Sequence, residues 1–270
     1  MEYPDRFTQR HAVMLTFDDG YEGVYLNALP VLERYDIPAV VGVITSPQKN
    51  PIWSKLAKLV TVDGVDIPTF EGTRLLSYDQ MRELQFQHGW RIESHTRQHF
   101  PLAQGTVSQI NFELESKQDL TEFGCEMLIP PWYSLNSESY FLAKQYFSSI
   151  RTVDVWDQYY GSNRAVIHTN LKSMTVISAR VQKFLEMLDY AKTHNVLIII
   201  ALHNIWTQEE YDRNDPLYYP CPHGGEPCGA VDAKSIIYYH GGWIKDTELE
   251  LIAQRIVENG LQVVTNVSEL

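Results

Sequence analysis

Cysteine is scarce in this 270-residue chain, with only Cys125, Cys221 and Cys228. An odd set of three excludes a disulfide-stapled scaffold, although Cys221 and Cys228 lie close enough in sequence to pair locally. Cationic residues are also few: 22 Lys and Arg stand against 34 Asp and Glu, a formal net charge of −12. Binding to a polyanion needs clustered cations that neutralise phosphates, so nucleic acid is not an expected partner. No run approaches the ~20 apolar residues of a membrane-spanning helix. The opening Met1-Glu2-Tyr3-Pro4-Asp5-Arg6 has no apolar h-region. A cytoplasmic location is expected if Met1 is the native start, and an extracellular one if a leader has been trimmed. Tandem repeats and low-complexity segments are missing too. What is present is core material: 44% of residues are hydrophobic and 21% charged, ordinary for a globular chain that buries a sizeable interior. The length suits one large domain or two small ones at roughly 100–200 residues each.

Apolar runs of strand length alternate with longer amphipathic runs. Residues 12–17, 37–44, 90–94, 127–129, 196–202 and 261–265 read as strands. Helices are predicted over 25–35 (Leu26, Leu29 and Leu32 at helical spacing), from Ser77 through Leu84, and over 108–121, 180–194 and 246–258. Ser77-Tyr78-Asp79-Gln80 supplies an N-cap and an acidic first turn. Strands that are apolar throughout and separated by helices indicate a parallel sheet covered by helices. Such a sheet is either a barrel or doubly wound. One stretch, about 206–242, breaks the rhythm and is rich in Tyr, Pro, Gly and Cys. Loops of that length are commonly lids or binding loops, and this one leaves directly after an apolar strand.

In a parallel βα fold, ligands bind beyond the carboxyl ends of the strands. Those ends carry Asp18-Asp19-Gly20, His95-Thr96-Arg97-Gln98-His99, Pro130-Pro131-Trp132-Tyr133 and His203. His95 and His99 are four apart, so one helical turn would bring both rings to one face, able to share a cation. Taken singly, each element also suits a structural role; Asp-Asp-Gly, for instance, is good turn chemistry. Their combination at matching strand ends is the specific signal. Cys221-Pro222-His223 with Cys228 is a poorer metal candidate, since six residues separate the cysteines where zinc knuckles use two to four. His11, His88, His168 and His194 have no motif context.

Thr16-Phe17-Asp18-Asp19-Gly20, His95-Thr96-Arg97-Gln98-His99 and Leu202-His203, in this order, resemble the motifs of the polysaccharide deacetylases, the NodB-homology domain of carbohydrate esterase family 4. The flanks agree: Tyr21, Ala28-Leu29-Pro30-Val31-Leu32 and Ile37-Pro38-Ala39 resemble the family's first βαβ unit, and Gly89-Trp90 the approach to its histidine motif. The similarity covers about residues 11–205 and the C-terminal helix and strand, leaving the insertion outside. It implies an α/β fold, a distorted (β/α)7-type barrel, with residues 1–270 forming a single catalytic domain. It further implies that Asp19, His95 and His99 bind a divalent metal, zinc above all. One carboxylate and two imidazoles leave coordination positions open, the pattern of a catalytic rather than a structural site. Asp18 would be the general base on the metal-held water, and the metal would polarise the acetamide carbonyl. Backbone N–H near Trp132, with Tyr133 beside it, would hold the oxyanion. His203 would protonate the leaving amine and Leu202 would line the acetyl pocket.

One motif departs from the family pattern. The third commonly reads Arg-Pro-Pro-Tyr-Gly, whereas this chain has Ile129-Pro130-Pro131-Trp132-Tyr133. The arginine that braces the base is therefore absent from its usual place. Arg97, Arg151 and Arg164 are the candidate replacements; without one, desolvation is expected to raise the pKa of Asp18. A fourth motif, an Asp near a Trp that tunes the histidine, is matched by Asp154 or Asp157 beside Trp156. The resemblance implies a metal-dependent hydrolase of carbon–nitrogen bonds outside peptides. Its expected partner is a carbohydrate: an N-acetylated amino sugar in a polysaccharide, oligosaccharide or surface-glycan precursor. One alternative is a hydrolase of small cyclic amides or ureides, as in the allantoinase-like branch, which the intact metal set argues against. Another is a non-catalytic carbohydrate-binding relative, which intact Asp18 and His203 argue against. Sugar identity and oligomeric state are not set by these motifs.

Overall fold

The computed structural model describes residues 11–46, 59–62, 65–70, 73–151, 173–176, 181–213 and 244–266. The chain starts with β1 (His11–Phe17), a π-helical turn (Val24–Ala28), α1 (Leu29–Glu33) and β2 (Val40–Val43). A small antiparallel sheet of β3 (Leu59–Val62), β4 (Val65–Phe70) and β5 (Thr73–Arg74) then interrupts the βα rhythm. The rhythm resumes with α2 (Tyr78–Phe86), β6 (Arg91–Ser94), α3 (Val107–Leu114), α4 (Ser116–Asp119), β7 (Met127–Leu128), α5 (Ser137–Tyr146) and β8 (Ser149–Ile150). Next come β9 (Ser173–Val176), α6 (Val181–Thr193), β10 (Val196–Leu202), β11 (Ile205–Trp206) and α7 (Gln208–Arg213). The described chain closes with β12 (Ile244–Lys245), α8 (Asp246–Glu258) and β13 (Gln262–Val263).

The main sheet is parallel throughout, in the order β8-β7-β6-β2-β1-β10-β9, with β13 also beside β1. One edge of β1 lies along β10 from His11 opposite Val196 to Phe17 opposite Leu202. Its other edge is shared: β13 pairs with Ala12 and Val13, and β2 with Thr16 and Phe17. Handing an edge from one strand to another staggers the register, which is the shear a closing sheet requires. The sheet accordingly curls into a partial barrel, and among the described residues its hydrogen-bonded path runs open from β8 to β9.

Side chains alternate across the curled sheet. From β10, Ile198, Ile200 and Leu202 join the outer core under the helices, with Phe184, Leu188, Leu249 and Ile252. Leu197 and Ile199 point the other way and join Ala12, Met14, Val40, Met127, Ile129 and Val264 inside the curl. Both faces of β10 are dry, which is why that strand is apolar at every position. Ser77 and Thr106 open α2 and α3 with capping boxes closed by Gln80 and Gln109.

Several elements differ from expectation. The helix predicted over 25–35 begins as a π turn, in which the Leu29 N–H reaches back to Val24 O. Pro30, next in the chain, has no N–H to continue an α-ladder. The helix predicted over 108–121 divides at Glu115 into α3 and α4. The stretch after residue 205 is not structureless at its root. Ile205 and Trp206 pair in parallel with Ile244 and Lys245, and α7 follows at once. The insertion therefore leaves and returns through one two-strand clamp. Residues 214–243, with Cys221 and Cys228, lie outside the described residues. Among the described residues, no helix is long and apolar enough to cross a membrane.

Candidate active site and metal centre

The strand ends deliver their next residue to one rim. The Asp18 N–H donates to Leu202 O (2.8 Å), His95 N–H to Val43 O (2.9 Å), Ile129 N–H to Ser94 O (2.8 Å) and Arg151 N–H to Leu128 O (2.9 Å). Each backbone is thus still fastened to the neighbouring strand while its side chain is already past the regular sheet. Rigid placement of this kind is what a reacting constellation needs.

Asp19, His95 and His99 are all buried, with their ligand atoms within 4.8 Å of one another. Nε2 of His95 lies 3.2 Å, and Nε2 of His99 3.1 Å, from Asp19 Oδ1. Nδ1 of His95 lies 2.6 Å from the Ile129 carbonyl oxygen, which only accepts. That contact places the ring proton on Nδ1 and turns the Nε2 lone pair toward Asp19. Asp19 Oδ1 is buried and makes no hydrogen bond. Carboxylate and imidazole lone pairs converging on one point, away from water, fit a divalent transition-metal ion. Burial pushes the Asp19 carboxyl up, but His99 and His95 beside it outweigh this and hold it well below the usual carboxylate range. Burial also holds the His99 imidazole below its ordinary value, against the pull of Asp19. Both shifts favour the forms that ligate metal.

The histidine pair is not on a helix, contrary to the expectation from its spacing. Residues 95–99 form an irregular loop with positive φ at Thr96 (68°) and His99 (57°), and the two rings lie 4.9 Å apart. A helical turn would have left both rings on its outer side, whereas this loop folds back over the end of β6. Asp19 is likewise left-handed (φ 72°), followed by Gly20 (φ 76°). Strain of about 1–3 kcal/mol at each non-glycine position is tolerated where surrounding structure fixes it.

The replacement for the missing arginine is Arg151. Its side chain is fully buried, and Nη1 donates to Asp18 Oδ1 (2.8 Å) and Thr16 Oγ1 (2.6 Å), while Nη2 donates to Asp18 Oδ2. The Tyr133 ring lies 5.0 Å from the guanidinium. Burial pushes the Asp18 carboxyl up, but Arg151 foremost and His95 after it bring it below its usual value. Asp18 is therefore held ionised, the reverse of the rise expected had no arginine reached it. Arg97 is engaged elsewhere, with Asp119 (2.8 and 2.9 Å) and Glu115 (2.6 Å). Arg164 lies outside the described residues, as do Asp154, Trp156 and Asp157. The sequence signal for Arg151 is its position directly after a strand, but β8 is too short to announce itself.

His203 follows β10, with Nε2 4.0 Å from Asp19 Oδ2 and its side chain partly exposed. Trp132 is half exposed, its ring edge-on to His99 at 4.2 Å. The Tyr133 N–H donates to Pro130 O (3.0 Å), and its hydroxyl is buried, with its ring beside Arg151. Leu202 is wholly buried in the outer core with Ile198 and Ile200. Two-residue alternation sends Leu202 toward the helices and His203 toward the rim.

These features define a class: a curled parallel βα sheet with a buried Asp-His-His cluster and an arginine-held aspartate at its carboxyl rim. Residues 5–122 match the sequence model of the polysaccharide deacetylase family. Poly-beta-1,6-N-acetyl-D-glucosamine N-deacetylase of Staphylococcus epidermidis is 32% identical over 111 residues, 41% of this chain and 32% of that protein. The chain spans about a third of the length of the curated relatives it matches. In structure it is similar to the family 4 carbohydrate esterase from Streptomyces lividans in complex with acetate (14% identity, TM-score 0.50, 95% of this chain and 93% of that one). It is also similar to the chitin deacetylase of the fungal pathogen Colletotrichum lindemuthianum (14% identity, TM-score 0.50, 95% and 86%). Both likenesses bear on the fold, an α/β partial barrel.

Proposed function

We propose that this chain is a metal-dependent N-deacetylase of an N-acetylated amino sugar, with zinc held by Asp19, His95 and His99. The observation that carries the reading is the three-ligand cluster beside an aspartate kept ionised by Arg151. A divalent ion bound there supplies Lewis acidity toward water and the acetamide carbonyl. Asp18 accepts the proton of the attacking water; each of its oxygens, though bonded to Arg151, keeps a second lone pair for this. His203 gives a proton to the amine nitrogen as the C–N bond breaks, leaving acetate and a free amine. Without that proton the tetrahedral adduct would expel the water oxygen instead, because an amide anion is a poor leaving group. Trp132 offers a half-exposed aromatic face beside His99 on which a sugar ring can stack, and its backbone N–H serves the oxyanion. The named substrate of the staphylococcal relative makes β-linked N-acetylglucosamine oligomers the first probes. Acetate release should accompany stoichiometric metal by elemental analysis, vanish on chelation and return with Zn²⁺. A metal-free chain, or one whose acetate release survives chelation, would overturn the proposal.

A further inference from the structure

We infer that Glu113, on α3, is a positioning residue that pre-sets the His95–His99 loop for metal; the inference rests on the metal-site reading above. The loop holds two non-glycine residues at positive φ, one of them the β-branched Thr96, a conformation that a free segment would leave. Something outside the loop must therefore hold it. Glu113 is buried on the helix face that carries Ile110 and Leu114, a costly place for a carboxylate without partners. It accepts the Gln98 N–H at 2.8 Å and faces the Arg97 amide and Thr96, all between the two metal-ligating histidines. Two further ties act on the same segment. Ser94 Oγ accepts the Thr96 N–H (3.1 Å) and lies 2.6 Å from Ser116 Oγ at the start of α4. Outside, the Arg97 guanidinium binds Glu115 and Asp119. Glu113 is the inner of these grips, and its loss frees the amides that fix where His99 points.

Groups that orient metal ligands from behind typically change affinity by about 10–100-fold when removed. Glu113→Ala should weaken Zn²⁺ binding by about that factor in competition with a chromophoric chelator. Glu113→Gln should weaken it less, since its amide oxygen still accepts the Gln98 N–H. Leu114→Ala loosens the same helix but removes no hydrogen bond to the loop; it should lower Tm yet keep wild-type affinity. Equal Zn²⁺ affinity in wild type and both Glu113 variants would overturn the inference, as would a loss in Leu114→Ala equal to that in Glu113→Ala. Should Glu113→Ala not fold, the near-isosteric Glu113→Gln set against Leu114→Ala decides in the same way. A wild-type chain that binds no Zn²⁺ would instead overturn the functional reading itself, and this inference with it.

Discussion

Asp18 and Asp19 are chain neighbours of identical chemistry and nearly equal burial, yet their surroundings differ. Asp18 prolongs β1, its N–H still bonded to Leu202 O, and its carboxylate meets a guanidinium whose charge does not titrate. Asp19 turns through a left-handed backbone and meets two imidazoles instead, with one oxygen left unbonded. A carboxylate already satisfied by a fixed cation is suited to pass protons. One facing lone pairs is suited to hold an ion. One change of φ between adjacent residues separates the two environments.

The contrast should break most completely at Asp19. Asp19→Ala is expected to lose stoichiometric metal by elemental analysis and to drop acetate release to background; full occupancy in this variant would mean the aspartates are reversed. Asp18→Asn removes a base and not a ligand. Metal should stay while turnover falls about 10²–10⁴-fold, the usual worth of general-base catalysis, and a simultaneous loss of metal would blur the division.

Arg151→Met tests what keeps the two apart. Removing one partner of a buried ion pair costs about 3–5 kcal/mol, readable as a lower urea midpoint. The pH dependence has a definite sign. Asp18 is depressed in the folded state, so its contribution to stability is present above the unfolded value of about 3.9 and fades as pH falls through the folded one. That acid-side contribution should shrink in Arg151→Met. Catalysis needs the ionised base, so the acid limb of kcat/KM should move to higher pH; a limb that stays put in the metallated variant would place the control elsewhere.

The smallest kinetic change is expected from Ile129→Arg. Ile129 is fully buried inside the curl, close enough to Gly42 that a Cβ there would sit 3.0 Å from Ile129 Cδ1. Overpacking should cost about 1–3 kcal/mol. Both Asp18 oxygens are already bonded to Arg151, so the pH–rate profile should keep its acid limb. A limb moved downward would show that Arg151 only partly does the work.

Legibility in the sequence followed length and uniformity. Strands β1 and β10 and the helices α6 and α8 coincide with their expected spans within a residue or so, because a long apolar run or three helical turns makes a clear pattern. The two-residue strands β8, β11 and β12 carry none and were not foreseen. The i,i+4 spacing of His95 and His99 signalled proximity correctly but its cause wrongly, since a strained loop held by α3 and α4 meets the same spacing as a helical turn. Asp18, Asp19 and His203 stand out because each lies just past an apolar run, whereas His95 and His99 follow a strand of mixed polarity and only the fold shows that they converge on Asp19.

By itself the sequence determined a parallel βα fold and the residues delivered to its carboxyl rim: both follow from local pattern, apolar runs and what ends them. Only the tertiary structure decided which arginine meets Asp18, and that Leu202 packs into the outer core. In the hydrogen-bonded order, β8 stands four strands from β1, roughly 19 Å away in a flat sheet at about 4.8 Å per strand. No arginine side chain spans that distance. Arg151 meets Asp18 because the sheet curls and brings those strand ends face to face, and curl is a property of many strands pairing at once that no local segment encodes.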